Sequence, residues 1–248
     1  MYRTENIQVA GMAVPSSARS CATCTHEISG PWTSAPAHCI ERLDRLKRNR
    51  TLSQNDTVYL QDTPNEGLHC VSKGVVGIYV THQNGTDVLV DLAYPGDTLG
   101  ARAFLRNAPH QTAAVALTDG AVCTILRRDA LKLTQDAPTV YLEIVKRCLT
   151  AMDQAQANIV EQACLSNRVR LCRLLLRLIE RHGHVRGGAH VACLPISRAA
   201  MAGMLGIQPE SLSRLFSRLK RDGLIEFSGR HVSVASLEAL RKVSTGDD

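Results

Sequence analysis

The sequence predicts an α+β chain: an N-terminal antiparallel β-roll, one long helix, and a C-terminal winged helix-turn-helix. Three observations carry that prediction. Between Leu52 and Leu126, short β-branched runs alternate with glycine-marked turns. From Thr139 to Ser166 no Pro or Gly interrupts a helical pattern. From Ser197 to Leu219, SRAAMAGMLGIQPESLSRLFSRL, two short amphipathic segments flank a glycine.

With 248 residues the chain is long enough for two domains. Residues 1–46 read as an N-terminal tail, flexible over 1–20, and a Cys-rich segment. That segment ends in a short helical pattern from Cys39 to Leu46. The β-roll is expected over 47–137. Val75–Val80 and Val88–Leu92 flank Gln83-Asn84-Gly85-Thr86, and Asn-Gly between two such runs is a strong hairpin signal. Glycines at 74, 85, 96, 100 and 120 space the segment as a roll of short strands.

The long helix is expected over 138–166, opened by Pro138, with Val145, Leu149, Met152, Ile159 and Val160 as an apolar stripe. A helix of that length, ~42 Å at the usual rise, exceeds what a small core needs. It therefore bridges domains or pairs with a copy of itself.

The remainder, 167–248, is expected to hold the winged helix-turn-helix. Its first helix, Val169–His182, carries Leu171, Leu174, Leu175, Leu178 and Ile179 on one face, and Gly183–His190 reads as a loop. Ser197 caps the next helix, Gly206 supplies the turn, and Pro209 starts the helix that follows. Met201, Leu205, Ile207, Leu212 and Leu215 form the expected shared core, with Ala202 facing Leu212. Leu224–Phe227 and His231–Val234, joined at Ser228-Gly229, read as a two-stranded wing.

Charge points the same way. Arg168–Lys242 holds 14 Lys/Arg against 5 Asp/Glu, whereas the rest of the chain holds 15 against 18. One polyanion-binding module joined to a slightly acidic one has this footprint. On the second helix Glu210, Ser213 and Arg214 are candidate base readers. Arg takes guanine bidentately, Glu accepts from cytosine, and Ser suits several bases. Arg218, Lys220, Arg221 and Arg230 are candidate phosphate contacts. No nucleotide-binding Gly loop, Ser/His/Asp layout or paired carboxylate motif suggests an enzyme.

Nine cysteines, an odd number, argue against a disulfide framework. Cys70 sits in a strand pattern and Cys148, Cys164 and Cys172 in helical ones, so packing accounts for them. Cys21, Cys24 and Cys39 lie in a polar stretch with no apolar periodicity to bury them. The N-terminus lacks a secretion-signal layout and no apolar run reaches a membrane span. A cytoplasmic, non-membrane protein is expected.

The chain resembles the CRP/FNR superfamily of bacterial regulators, and its FNR branch in particular, over about residues 21 to 240. The residues that carry this are the Pro95-Gly96-Asp97-Thr98-Leu99-Gly100 turn, the long helix, and Glu210-x-x-Ser213-Arg214, which matches the FNR-type recognition helix. The resemblance implies a cyclic-nucleotide-binding-like roll and a homodimer paired along the long helix. It also implies double-stranded DNA with palindromic TTGAT-like half-sites and RNA polymerase as partners. Cyclic AMP is not expected: Ala101 stands where that ligand needs an acidic residue, and Pro109–Ala113 has no Arg for its phosphate.

The FNR branch implies a [4Fe-4S] cluster and an oxygen or redox signal. Cys21 and Cys24 match the first ligand pair and Cys123 the distant ligand. Family members place the third cysteine closer to the pair; here Glu27–His38 holds none, and Cys39 is next, with His26 as a substitute. The same fold with haem, thiol oxidation or no bound sensor is the alternative.

Overall fold

In a computed structural model, residue 21 and residues 30–246 are described. The expectation of a flexible tail over 1–20, and the candidate ligands Cys24 and His26, lie outside the described residues. The chain divides into two compact units, Met1–Thr150 and Ala151–Asp248, with the division falling inside the long helix.

In the first unit a 3-10 turn, Pro31–Ser34, leads into α1 (Ala37–Leu46). Eight strands follow: β1 (Arg48–Leu52), β2 (Thr57–Tyr59), β3 (Gly67–Lys73), β4 (Val76–Thr81), β5 (Asp87–Ala93), β6 (Thr98–Leu99), β7 (Ala113–Ala116) and β8 (Gly120–Leu126). They form two antiparallel sheets, ordered β1-β8-β3-β6 and β2-β7-β4-β5. The predicted hairpin joins β4 to β5: Gly85 takes φ 81°, and the Asn84 side chain accepts from the Thr86 N–H. A β-branched residue at Gly85 would be strained there.

Alternation along β3 and β8 gives this unit two cores, because successive strand residues face opposite ways. Val71 and Val122 point inward to Leu52, Val76, Leu99 and Ala114. Leu68 and Ile125 point to the other face, against Trp32, Leu43, Phe104 and Leu133. Two helices within the expected roll, α2 (Ala101–Arg106) and α3 (Arg127–Asp136), were not legible beforehand. The second helps cover the outer core through Ala130 and Leu133.

The long helix, α4, spans Pro138–Cys164. Val140 and Ile144 are buried, whereas Tyr141, Leu142, Leu149, Met152, Ile159 and Val160 are exposed. The expected stripe therefore faces outward over most of its length.

The second unit holds α5 (Asn167–His182), β9 (Gly183–Arg186), β10 (Ala189–Cys193), α6 (Arg198–Leu205), α7 (Pro209–Arg221), β11 (Glu226–Ser228), β12 (His231–Val234) and α8 (Leu237–Thr245). Two expectations are corrected. Gly183–His190 is not a loop but a hairpin turned at Gly187-Gly188. The wing is not two-stranded, since β12 also pairs with β10 in a sheet ordered β11-β12-β10-β9. Pairing across sequence supplies what four exposed β9 residues show no sign of locally.

Candidate nucleic-acid interface and thiol wall

The helix-turn-helix is built by local signals acting where expected. Ser197 Oγ accepts from the Ala200 N–H at 3.1 Å, satisfying an orphan donor of α6. Gly206 ends that helix at φ 62°, a left-handed conformation that favours glycine. Pro209 opens α7. Buried Arg170 donates to the Leu205 carbonyl at the end of α6 and to Asn167 Oδ1, tying α5 to the motif.

Met201, Ala202, Leu205 and Leu212 are buried as expected. Leu215 and Ile207 are only half-buried, and Phe216 and Leu219 fill the centre instead. Phe216 meets Phe227 of the wing edge-on at 5.3 Å, and Arg198 lies over both rings. Sequence reasoning missed this clamp, whose only local signal is an apolar residue at each of positions 216 and 227.

That core fixes which side of α7 faces out. Glu210, Ser213 and Arg214 are exposed, with Arg218, Lys220, Arg221 and Arg230 exposed around them. Ser213, Arg214, Ser217, Arg218 and Arg221 line one shallow groove. Lys220 is the exception among the cations, because its ammonium is paired with Glu226 at 2.6 Å. Such a surface offers directional donors and acceptors on a protruding helix, with positive charge around it.

The cysteines behave otherwise than their polar surroundings suggest. Cys21 and Cys39 are buried, at 8% and 3% exposure, in the outer core beside Trp32. The outer face of β3 and β8 needs a cover, and that tertiary demand outweighs the lack of local periodicity. Conversely Cys164, expected to be packed, is exposed, as is Cys193.

Around Cys21 a small polar set closes in. Its backbone N–H donates to Asp44 Oδ1 at 2.9 Å, and Lys47 pairs with that carboxylate at 2.6 Å. Burial pushes the Cys21 thiol up to about 12, opposed by Lys47. Asp44 is held below its ordinary value because Lys47 and the Cys21 N–H outweigh burial. Lys47 is raised above its ordinary value, since Asp44, Cys21 and Cys123 together outweigh its burial.

Cys123 donates to Asn49 Oδ1 at 3.0 Å. Cys70, which sequence reasoning treated as packing, stands opposite it in the β3–β8 register and accepts from Trp32 Nε1 at 3.2 Å. Cys21, Cys39, Cys70 and Cys123 thus share one wall of the first unit. Among the described residues no three His, Cys, Asp or Glu side chains are placed to hold a metal ion.

Inside the roll, His110 stacks on Tyr59 at 3.8 Å between ring centroids, and His69 Nδ1 meets Thr124 Oγ1 at 2.9 Å. Burial, reinforced by His110 and Arg50, pushes His69 down to about 4.

Comparison with known proteins places these features. The Crp-like helix-turn-helix domain family matches residues 169–243, and the cyclic nucleotide-binding domain family matches residues 49–137. Among curated relatives, the transcriptional regulatory protein btr of Bordetella pertussis is 27% identical over 84% of this chain and 86% of its own. The transcriptional activator protein FnrL of Cereibacter sphaeroides is 26% identical over 95% of each. Among solved structures, FixK2 of Bradyrhizobium japonicum aligns with a TM-score of 0.68 at 24% identity, over 79% of this chain and 96% of that one. Among the described residues no helix is long and apolar enough to cross a membrane. The chain belongs to the CRP/FNR superfamily, in its FNR-like branch, and is a sequence-specific DNA-binding transcription regulator, not an enzyme.

Proposed function

We propose that the chain, as a homodimer, binds a two-fold symmetric DNA site with TTGAT-like half-sites. Glu210, Ser213 and Arg214 read base edges, and Arg218, Lys220, Arg221 and Arg230 hold phosphates. The observation that carries this reading is the joint exposure of those three readers on α7, above the groove formed with Arg218 and Arg221. Division at the long helix supports the domain scheme of roll, 47–137, pairing helix, 138–166, and DNA-binding domain, 167–248. RNA polymerase is the protein partner this family membership suggests. Selection of bound duplexes from a randomised pool is the test: the expected product is a palindrome, and recovery of no common sequence overturns the reading.

Cyclic AMP is not the input in this reading. Ala101 opens α2 with a methyl group, Pro109–Ala113 brings no guanidinium, and buried His110 is committed to its stack on Tyr59. A [4Fe-4S] cluster on Cys21, Cys24, Cys39 and Cys123 is the family's route to oxygen sensing. The described members of that set do not fit one as they stand: Cys39 is packed in the core and the Cys123 thiol is bonded to Asn49. No step is derived through a cluster. Thiol oxidation at the wall of Cys21, Cys39, Cys70 and Cys123 is the input we favour, because four thiols share one face of the unit. Iron and sulfide analysis of protein purified without air tests it. Negligible iron with oxidant-sensitive DNA binding is expected; iron and sulfide in stoichiometric amounts restore the cluster.

A further inference from the structure

We infer that Cys70 and Cys123 form a reversible cross-strand disulfide when the protein meets a peroxide. This rests on the reading of the thiol wall as the input, and it names the pair that reacts.

Register is the first observation. β3 and β8 are antiparallel, with Cys70 directly opposite Cys123. Val71 exchanges backbone bonds with Gly96 and Asp97 on the other side of β3, so the N–H and C=O of Cys70 point toward β8. Opposed residues in such a hydrogen-bonded pair have Cα atoms about 5.5 Å apart. That lies inside the range of about 4.4–6.8 Å over which a disulfide can close. Their Cβ atoms start about 4.5–5.5 Å apart, somewhat wider than the roughly 3.8 Å a disulfide prefers. Closing the bond therefore pulls the strands together, and strained disulfides are the ones readily reduced again.

Access and surroundings are the second observation. Both residues are half-buried, whereas Cys21 and Cys39 are buried. Trp32 Nε1 donates to the Cys70 sulfur, and Lys47 lies within electrostatic reach of Cys123. A donor and a cation both favour charge developing on sulfur as it attacks.

The chemistry balances with hydrogen peroxide as oxidant. The Cys123 sulfur, its proton lost to solvent, attacks one peroxide oxygen. The O–O bond breaks, and the other oxygen leaves as hydroxide and is protonated to water. The Cys70 sulfur then attacks the resulting sulfenic acid, the S–O bond breaks, and hydroxide leaves with the Cys70 proton as a second water. The two sulfurs lose one electron pair between them and the peroxide is reduced. A dithiol reductant reverses the bond.

Oxidation changes the wall in two ways. Cys123 no longer has a proton to donate to Asn49 on β1, and Trp32 loses its thiol acceptor. Asn49 belongs to the strand beside β8 in the same sheet, and Trp32 to the segment packed on its outer face.

The test uses the full chain, reduced, pulsed with hydrogen peroxide, alkylated and cleaved after Lys and Arg. Cys70 is the only cysteine of the peptide 51–73, and Cys123 the only one of 107–127. A peptide linking the two is expected, lost on dithiol treatment. It should vanish in Cys70→Ser and Cys123→Ser but persist in Cys39→Ser and Cys193→Ser. Alkylation of both residues after the pulse, or their linkage to other cysteines, overturns the pair. DNA affinity of the same samples separates the two readings. A linked peptide with unchanged affinity overturns the input, and lost affinity without the linked peptide overturns only the pair.

Discussion

The Arg198 guanidinium lies 3.8 Å from the Phe216 ring centroid and 4.3 Å from that of Phe227. One side chain at the start of α6 thereby binds together both helices of the helix-turn-helix and the wing. The two rings meet at 83°, leaving their electron-rich faces to the cation.

Arg198→Ala should therefore destabilise the DNA-binding unit by about 1–3 kcal/mol, through two lost cation–π contacts and the cavity beside them. DNA affinity should fall without a change in preferred bases, because the reading side chains remain. Arg198→Lys should recover little, since an ammonium cannot lie flat against two rings. Denaturant melts alongside binding to the cognate and mismatched duplexes check this; a shift in base preference would make Arg198 a reader in its own right.

Arg214→Ala should cost ~1–3 kcal/mol on the cognate site and relax selection at one base pair. Arg218→Ala should weaken all sequences alike and flatten the salt dependence by about one counterion. Lys220→Ala should flatten it less, because Glu226 already neutralises part of its charge. Binding isotherms at several salt concentrations distinguish the three. An Arg214→Ala loss equal on every duplex would remove it from the base-reading set.

Why the motif was legible and the wall was not follows from where the information lies. Ser197, Gly206 and Pro209 act on backbone within a few residues of themselves, so their consequences can be read locally. The fold class was equally plain from strand runs and turn glycines. The hairpin over Gly183–Cys193 was not, because β9 is fully exposed and gains its identity from pairing with β10. Helical spacing alone places Leu215 in the core, whereas it is only half-buried. Whether it or Phe216 turns inward depends on Phe227 and Arg198, which arrive from elsewhere in the chain. Burial of Cys21 and Cys39 depends likewise on a sheet face formed by Leu68 and Ile125. The opposition of Cys70 and Cys123 is a matter of register, and the 52 residues between them do not announce it.

The outward face of α4 carries Leu149, Met152, Ile159 and Val160, each more than half exposed in one copy of the chain. Pairing with a second copy along this stripe would remove that apolar area from water. Ile159→Glu would put a charge in the seam without a partner, and should give a monomer that binds a palindrome poorly. Sedimentation of the variant with and without a symmetric duplex is the check. An unchanged dimer with intact binding would mean that another surface makes the pair.

His69 gives the roll a pH-dependent stability whose sign is fixed by burial. Its folded value lies near 4, below the ordinary 6.5, chiefly because burial disfavours the charged ring. Between those values the unfolded chain takes up a proton at this site and the folded chain does not. Stability from this group is therefore fully present above 6.5 and is lost as pH falls toward 4. A shift of this size corresponds to a loss of about 2 kcal/mol between pH 7 and pH 5. His110 is displaced in the same direction by burial, with Glu66 opposing, and adds to the trend. His69→Gln cannot take up the proton, and its amide can still meet Thr124 Oγ1, so the variant should show a shallower dependence than the wild type. Denaturant midpoints of both proteins at pH 7 and pH 5 supply the comparison. Equal losses in both would assign the pH dependence to other groups and leave His69 as a neutral packing residue at either pH.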